Sequence, residues 1–185
     1  DVFVMDADGA NVTNLTRRRG SDVRATWSPD GTLIAYASRR GDYEIFVMAA
    51  DGSAPRQLTD NRANDDHPAW SPDGQSIAFH TNRDGDYEIY VMDSDGKNQR
   101  NITNSPGSDA HPTWSPDSSQ IAFCSLRDDR DDTGFWDIYT MTRDGGRQQN
   151  LTRTPDEHER GPSWSPWLPV GPLRPSAADE FGPGL

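Results

Sequence analysis

Four acids stand at one recurring position of this chain. Asp22, Asp65, Asp109 and Glu159 each lie five residues before a tryptophan, namely Trp27, Trp70, Trp114 and Trp164. Carboxylates gathered at one phase repel each other, and a bound hard cation such as Ca²⁺ relieves that repulsion. Three residues before the same tryptophans stand Arg24, His67, His111 and Gly161. Two imidazoles at equivalent positions could approach each other, but a transition-metal site takes three or four ligands. His80 and His158 fall outside that register. The sequence therefore expects a divalent cation, Ca²⁺ by chemistry, among the four acids. For Arg24, His67 and His111 it expects a lining role rather than a metal-ligating one.

Other candidates are weaker. The stretch Asn82-Arg83-Asp84-Gly85-Asp86-Tyr87-Glu88 places oxygen side chains at alternating positions. It lacks the spacing of an EF-hand loop, so a hairpin turn is the better reading. A longer acidic connection, 127–134, carries Asp128, Asp129, Asp131 and Asp132 and is a candidate contact for a basic partner. There is no Gly-x-Ser-x-Gly elbow, Walker loop or His-Glu-x-x-His. No catalytic residue is assigned, and the chain is not expected to be an enzyme.

The elements that would position these residues are repeats. Trp27, Trp70, Trp114 and Trp164 open the same Trp-Ser-Pro phrase at spacings of 43, 44 and 50 residues. Apolar runs follow in phase: Leu33–Tyr36, Ile77–Phe79 and Ile121–Phe123, then Glu44–Met48, Glu88–Met92 and Asp137–Met141. The start, Asp1–Met5, is another copy of the second run. Each copy enters an Asp-Gly turn, a strong hairpin signal because glycine accepts positive φ. A repeat of this length with four short strands suits one propeller blade. Strands apolar on both faces fit the middle of a blade packed between neighbours. Large residues on one face and alanine on the other fit a wedge-shaped stack.

The expected fold is thus all-β: a β-propeller of four-stranded antiparallel blades, about four repeat units, part of a larger ring. Units fall at 1–16 (partial), 17–59, 60–103, 104–152 and 153–166 (partial). Residues 167–185 are rich in Pro and Gly and read as a disordered tail. Three arrangements stay open: end strands sharing one blade, two chains closing one ring, or an open arc of a larger propeller. Strand a, the first of each unit, would be innermost and line the channel, which places the four acids at one channel mouth.

Composition sets bounds. Among 185 residues, 18 basic and 30 acidic side chains leave a formal charge of −12. Nucleic acid and anionic membranes are poor partners for such a surface. No apolar run is long enough for a membrane helix. The mean hydropathy is −0.91, so the core must be thin and confined to the middle strands. The single cysteine, Cys124, is expected to be a buried thiol.

The phrase His67-Pro68-Ala69-Trp70-Ser71-Pro72-Asp73-Gly74, with Ile77-Ala78-Phe79 and Glu88-Ile89-Tyr90-Val91-Met92, resembles the TolB-type (WD40-like, PD40) propeller repeat. The resemblance covers roughly 1–166. Similar repeats occur in periplasmic TolB, in propellers of prolyl-oligopeptidase-type and tricorn-like proteases, and in oligogalacturonate lyase. It implies a non-catalytic protein-interaction propeller of an exported bacterial protein, periplasmic or secreted, with an envelope protein as partner. The alternative it implies is the substrate-gating propeller of a larger hydrolase. A second copy or a larger parent chain would complete the ring.

Overall fold

The computed structural model describes residues 1–17, 20–128, 134–153, 157–159 and 161–165. Among these there is no helix, and so none long and apolar enough to cross a membrane. The expected all-β architecture is what the chain forms. Strands β1 (Phe3–Val4) and β2 (Thr13–Asn14) make a two-stranded ribbon. Three four-stranded antiparallel meanders follow. The first is β3 (Ser21–Trp27), β4 (Leu33–Arg39), β5 (Tyr43–Ala49) and β6 (Arg56–Gln57). The second is β7 (Asp65–Trp70), β8 (Ser76–Thr81), β9 (Glu88–Asp93) and β10 (Arg100–Asn101). The third is β11 (Asp109–Trp114), β12 (Gln120–Ser125), β13 (Asp137–Thr142) and β14 (Gln149–Asn150). The sheets do not close into a ring among the described residues, and none pairs 161–165 with the β1–β2 ribbon. The tail 167–185 lies outside the described residues.

Turn chemistry builds each meander. In Trp-Ser-Pro-Asp the serine hydroxyl donates to the aspartate two residues on: Ser28 to Asp30 at 2.6 Å, Ser71 to Asp73 at 2.5 Å, Ser115 to Asp117 at 2.6 Å. The same aspartates accept the backbone N–H of Thr32, Gln75 and Ser119, closing an Asx-turn. These hydrogen bonds hold all three carboxyls below their ordinary range. At the Asp-Gly turns the glycine does a second job. Gly145 has φ +90°, and a Cβ there would run into the Ile102 carbonyl oxygen of the preceding blade. Only glycine lets that turn sit on its neighbour.

The core lies between blades rather than within them. Ala35, Ala37, Ile45 and Val47 of the first meander face Trp70, Ile77, Phe79, Tyr90 and Met92 of the second. Ala78, Ile89 and Val91 on the back of the second face Trp114, Ile121, Phe123, Tyr139 and Met141 of the third. Each blade therefore offers a small face to the blade after it and a large face to the blade before. The tryptophans also bond across seams: Trp114 Nε1 donates to the Ala69 carbonyl at 3.1 Å and Trp164 Nε1 to that of Thr113 at 3.2 Å. Cys124 is fully buried. At the N-terminal end Phe3 and Met5, in phase with buried Phe46 and Met48, are exposed.

Candidate functional site on the inner strands

Strands β3, β7 and β11 are the inner ones: β7 packs against both β3 and β11, while among the described strands β6, β10 and β14 pack only against β5, β9 and β13 of their own sheets. Each inner strand breaks its ladder at the same place. Pairing shifts register between Val23 and Thr26, Asp66 and Ala69, and Ala110 and Thr113. The residue at each break is left-handed: Arg24 at φ 55°, His67 at 52°, His111 at 57°. Gly161 takes the same conformation at 66°. Non-glycine residues rarely adopt it, and here it forms a bulge that re-aims one side chain per blade. Pro68 and Pro112 follow directly, where the broken ladder needs no N–H. The residues expected to line the inner face thus share one bulge geometry.

The bulges bring histidines together. His67 and His111 rings lie 4.1 Å apart between centroids, His67 and His80 4.7 Å, and His80 and His111 5.7 Å. Sequence spacing alone missed His80, because it comes from β8 rather than an inner strand. Its register is the signal: His80 pairs with Asp66, next to the His67 bulge. The Arg24 guanidinium reaches across from the preceding blade to His67 Nε2 and pairs with Asp66 at 3.0 Å. His67 Nδ1 is buried without a hydrogen-bond partner. Burial and the neighbouring imidazoles hold His67 down to about 2 and His80 to about 3. Both rings are therefore neutral at physiological pH.

The four acids sit elsewhere. Asp65 and Asp109 are 0% exposed. Arg83 holds Asp65 at 3.0 Å and Arg127 holds Asp109 at 2.8 Å. Asn61 and Ser105 add hydrogen bonds at 2.6 and 2.9 Å. Each arginine also lies over two rings of its own blade, Phe79 and Tyr90 or Phe123 and Tyr139. Asp22 is buried and Glu159 half-buried, and the Glu159 N–H donates to the Trp136 carbonyl at 2.9 Å. The described His, Cys, Asp and Glu that gather in threes within ligand distance are His67, His80 and His111, and none of the acids belongs to that group. At Asp65 and Asp109 arginine supplies the positive charge that the sequence reading assigned to a cation. The spacing signal was present: each arginine stands 18 residues after its acid.

A second carboxyl completes each seam. Glu44 accepts the Asn61 N–H at 2.7 Å and lies beside Asp65. Burial, with the Asp65 charge adding to it, lifts the Glu44 carboxyl from 4.5 to about 7. Glu88, beside Asp109, is raised for the same first reason. A proton shared between Glu44 and Asp65 satisfies oxygens of both that otherwise lack partners. Between pH 4.5 and 7 the folded chain keeps a proton that the unfolded chain has lost, so stability falls as pH rises through that window. Glu44→Gln should flatten this slope. Thermal unfolding at pH 5 and pH 8 should show the wild-type Tm dropping about 2–4 °C more than the variant's. Equal slopes in the two proteins would place the Glu44 carboxyl in ordinary solvent.

Of the acidic connection, Asp129, Asp131 and Asp132 lie outside the described residues. Asp128 accepts the Tyr139 hydroxyl and, at 3.1 Å, Asn150 Nδ2. Asp84 repeats the arrangement with Tyr90 and Asn101, so this acid position supports its own blade.

A family described as the tricorn protease N-terminal β-propeller domain matches residues 44–160. No curated protein matches the sequence significantly. Among solved structures, the putative TolB from Agrobacterium tumefaciens is similar with a TM-score of 0.73 and 28% identity, over 80% of this chain and 55% of that one. TolB from Acinetobacter baumannii matches at 0.70 and 28%, over 81% and 37%. A Mycobacterium tuberculosis puromycin-hydrolysing peptidase matches at 0.67 and 17%, over 86% and 26%, a likeness of fold alone. The chain spans about half of the first TolB and less of the second.

Proposed function

Because the chain belongs to the tricorn protease N-terminal β-propeller family, we propose that it acts as a non-catalytic protein-interaction propeller of a TolB-like exported bacterial protein, periplasmic or secreted. One observation carries the reading: three successive inner strands spend the same left-handed bulge on presenting Arg24, His67 and His111. A scaffold role alone would be served by glycine, as at Gly161. The 28% identity to two TolB structures supports this class over a self-contained enzyme. A second reading, the gating propeller of a larger peptidase, draws on the family description and the peptidase likeness.

Site-specific photocrosslinking tests the proposal. A photoreactive side chain at position 24, on an inner strand, should yield one discrete protein adduct in cells. The same group at position 56, on the outer strand β6, should not. The purified chain should leave aminoacyl-amide and peptide substrates intact. Hydrolysis by the purified chain, or adducts equal from both positions, would overturn the reading. Adducts to peptides under processing by a linked catalytic domain would favour the gating role.

A further inference from the structure

Three of the four histidines in this chain converge from three strands of two blades. Their ligand nitrogens all lie within 4.8 Å of one another. Repeat symmetry does not require this. Where the second blade pairs Asp66 with His80, the first pairs Val23 with Ala37 and the third pairs Ala110 with Cys124. Two small apolar pairs serve the fold at that position, so the charged and imidazole pair of the second blade is a local addition. Burying it costs free energy unless it does something the scaffold does not need.

We infer that His67, His80 and His111 form a binding site for a divalent transition-metal ion of the zinc class, with a remaining position open to water or to a carboxylate of a bound molecule. Imidazole nitrogen suits zinc, copper, nickel and cobalt, whereas calcium and magnesium take oxygen. Zinc–nitrogen bonds of about 2.0–2.1 Å in tetrahedral geometry place ligand nitrogens ~3.3 Å apart. The three rings need close in by only ~1.5 Å at most, within reach of side-chain torsions. Access is available because the His67 side chain is 21% exposed. Asp66 Oδ2 lies 3.8 Å from His67 Nδ1, the placement of a carboxylate that orients a ligating imidazole. Arg24 is the opposing charge. Its side chain is 45% exposed and already paired with Asp66, so its Nη1 can leave His67 while Nε stays. Tyr87 edges against His80 and Trp136 stacks beside His111, giving the cluster aromatic walls.

The test uses the chain free of any histidine tag. Zinc alone, titrated by calorimetry, should bind at one equivalent with micromolar Kd or tighter, and excess Ca²⁺ should not compete. His80→Ala installs the residue that the first blade carries at this place and should weaken binding about 10-fold or more. Arg24→Ala should tighten it. In the wild-type chain, which needs no substitution to fold, histidine side-chain NMR should show three imidazoles shifting together while His158 stays still. No binding up to millimolar zinc, an unchanged affinity in His80→Ala, or a shift confined to His158 would each overturn the inference.

Discussion

Arg127→Met should destabilise the chain by about 3–5 kcal/mol, the cost of leaving a buried charge without its partner. Asp109 is 0% exposed and Arg127 Nη2 lies 2.8 Å from it. The same guanidinium bonds Ser125 at 2.9 Å and Gln148, and lies over Phe123 and Tyr139. Methionine keeps much of the apolar contact and removes the charge, so the variant isolates the electrostatic part. Adding Asp109→Asn should restore a large share of the loss, because the orphaned charge goes with it. Urea denaturation of the four proteins of this cycle gives the coupling directly. A loss below about 1 kcal/mol would mean that water or a bound cation reaches Asp109. That outcome would return the acids to the cation-binding role that their spacing suggests.

The fold was legible because periodicity is redundant. Trp27, Trp70 and Trp114, the Ile-Ala-Phe runs and the Asp-Gly turns each mark the same unit. In the second blade the apolar runs Ile77–Phe79 and Glu88–Met92 fall inside β8 (Ser76–Thr81) and β9 (Glu88–Asp93). The wedge of alanines against aromatics was visible too, since strand alternation fixes which side chains share a face. The site was only half legible. Arg24, His67 and His111 were placed in register by the Trp phrase, and they do share one geometry. The left-handed bulge behind that geometry has no one-residue signature, because Arg, His and Gly all occupy it. His80 was out of reach of the spacing from the Trp phrase, since strand pairing across β7 and β8 joins it to the cluster. The partners of Asp65 and Asp109 were hidden for a related reason. A carboxylate at constant phase looks alike whether it faces a channel or a seam. Arg83 and Arg127, on the far side of the next hairpin, decide between the two.

The second large effect is in the core. Phe79→Ala should cost about 3–5 kcal/mol, the range for emptying a fully buried aromatic site. Phe79 is 0% exposed and fills the seam between the first two blades against the small face that carries Ala35, Ala37, Ile45 and Val47. Those alanines belong to rigid mid-sheet strands, so they cannot follow the retreating side chain and a cavity remains. Its loss also removes a ring from beneath Arg83, which lies 5.5 Å away. Phe3→Ala should change stability by no more than about 0.5 kcal/mol, because Phe3 is 58% exposed although it occupies the phase of buried Phe46. The two aromatics therefore separate seam packing from composition. In a stacked repeat each blade touches only its neighbours, so hydrogen exchange in Phe79→Ala should rise first in β4, β5, β8 and β9. Protection in β12 and β13 should persist longest, since Phe123 and Ile121 keep their own seam with the second blade. Uniform loss of protection across all three meanders would show instead that the blades unfold as one cooperative body, with the seams coupled more strongly than nearest-neighbour stacking allows.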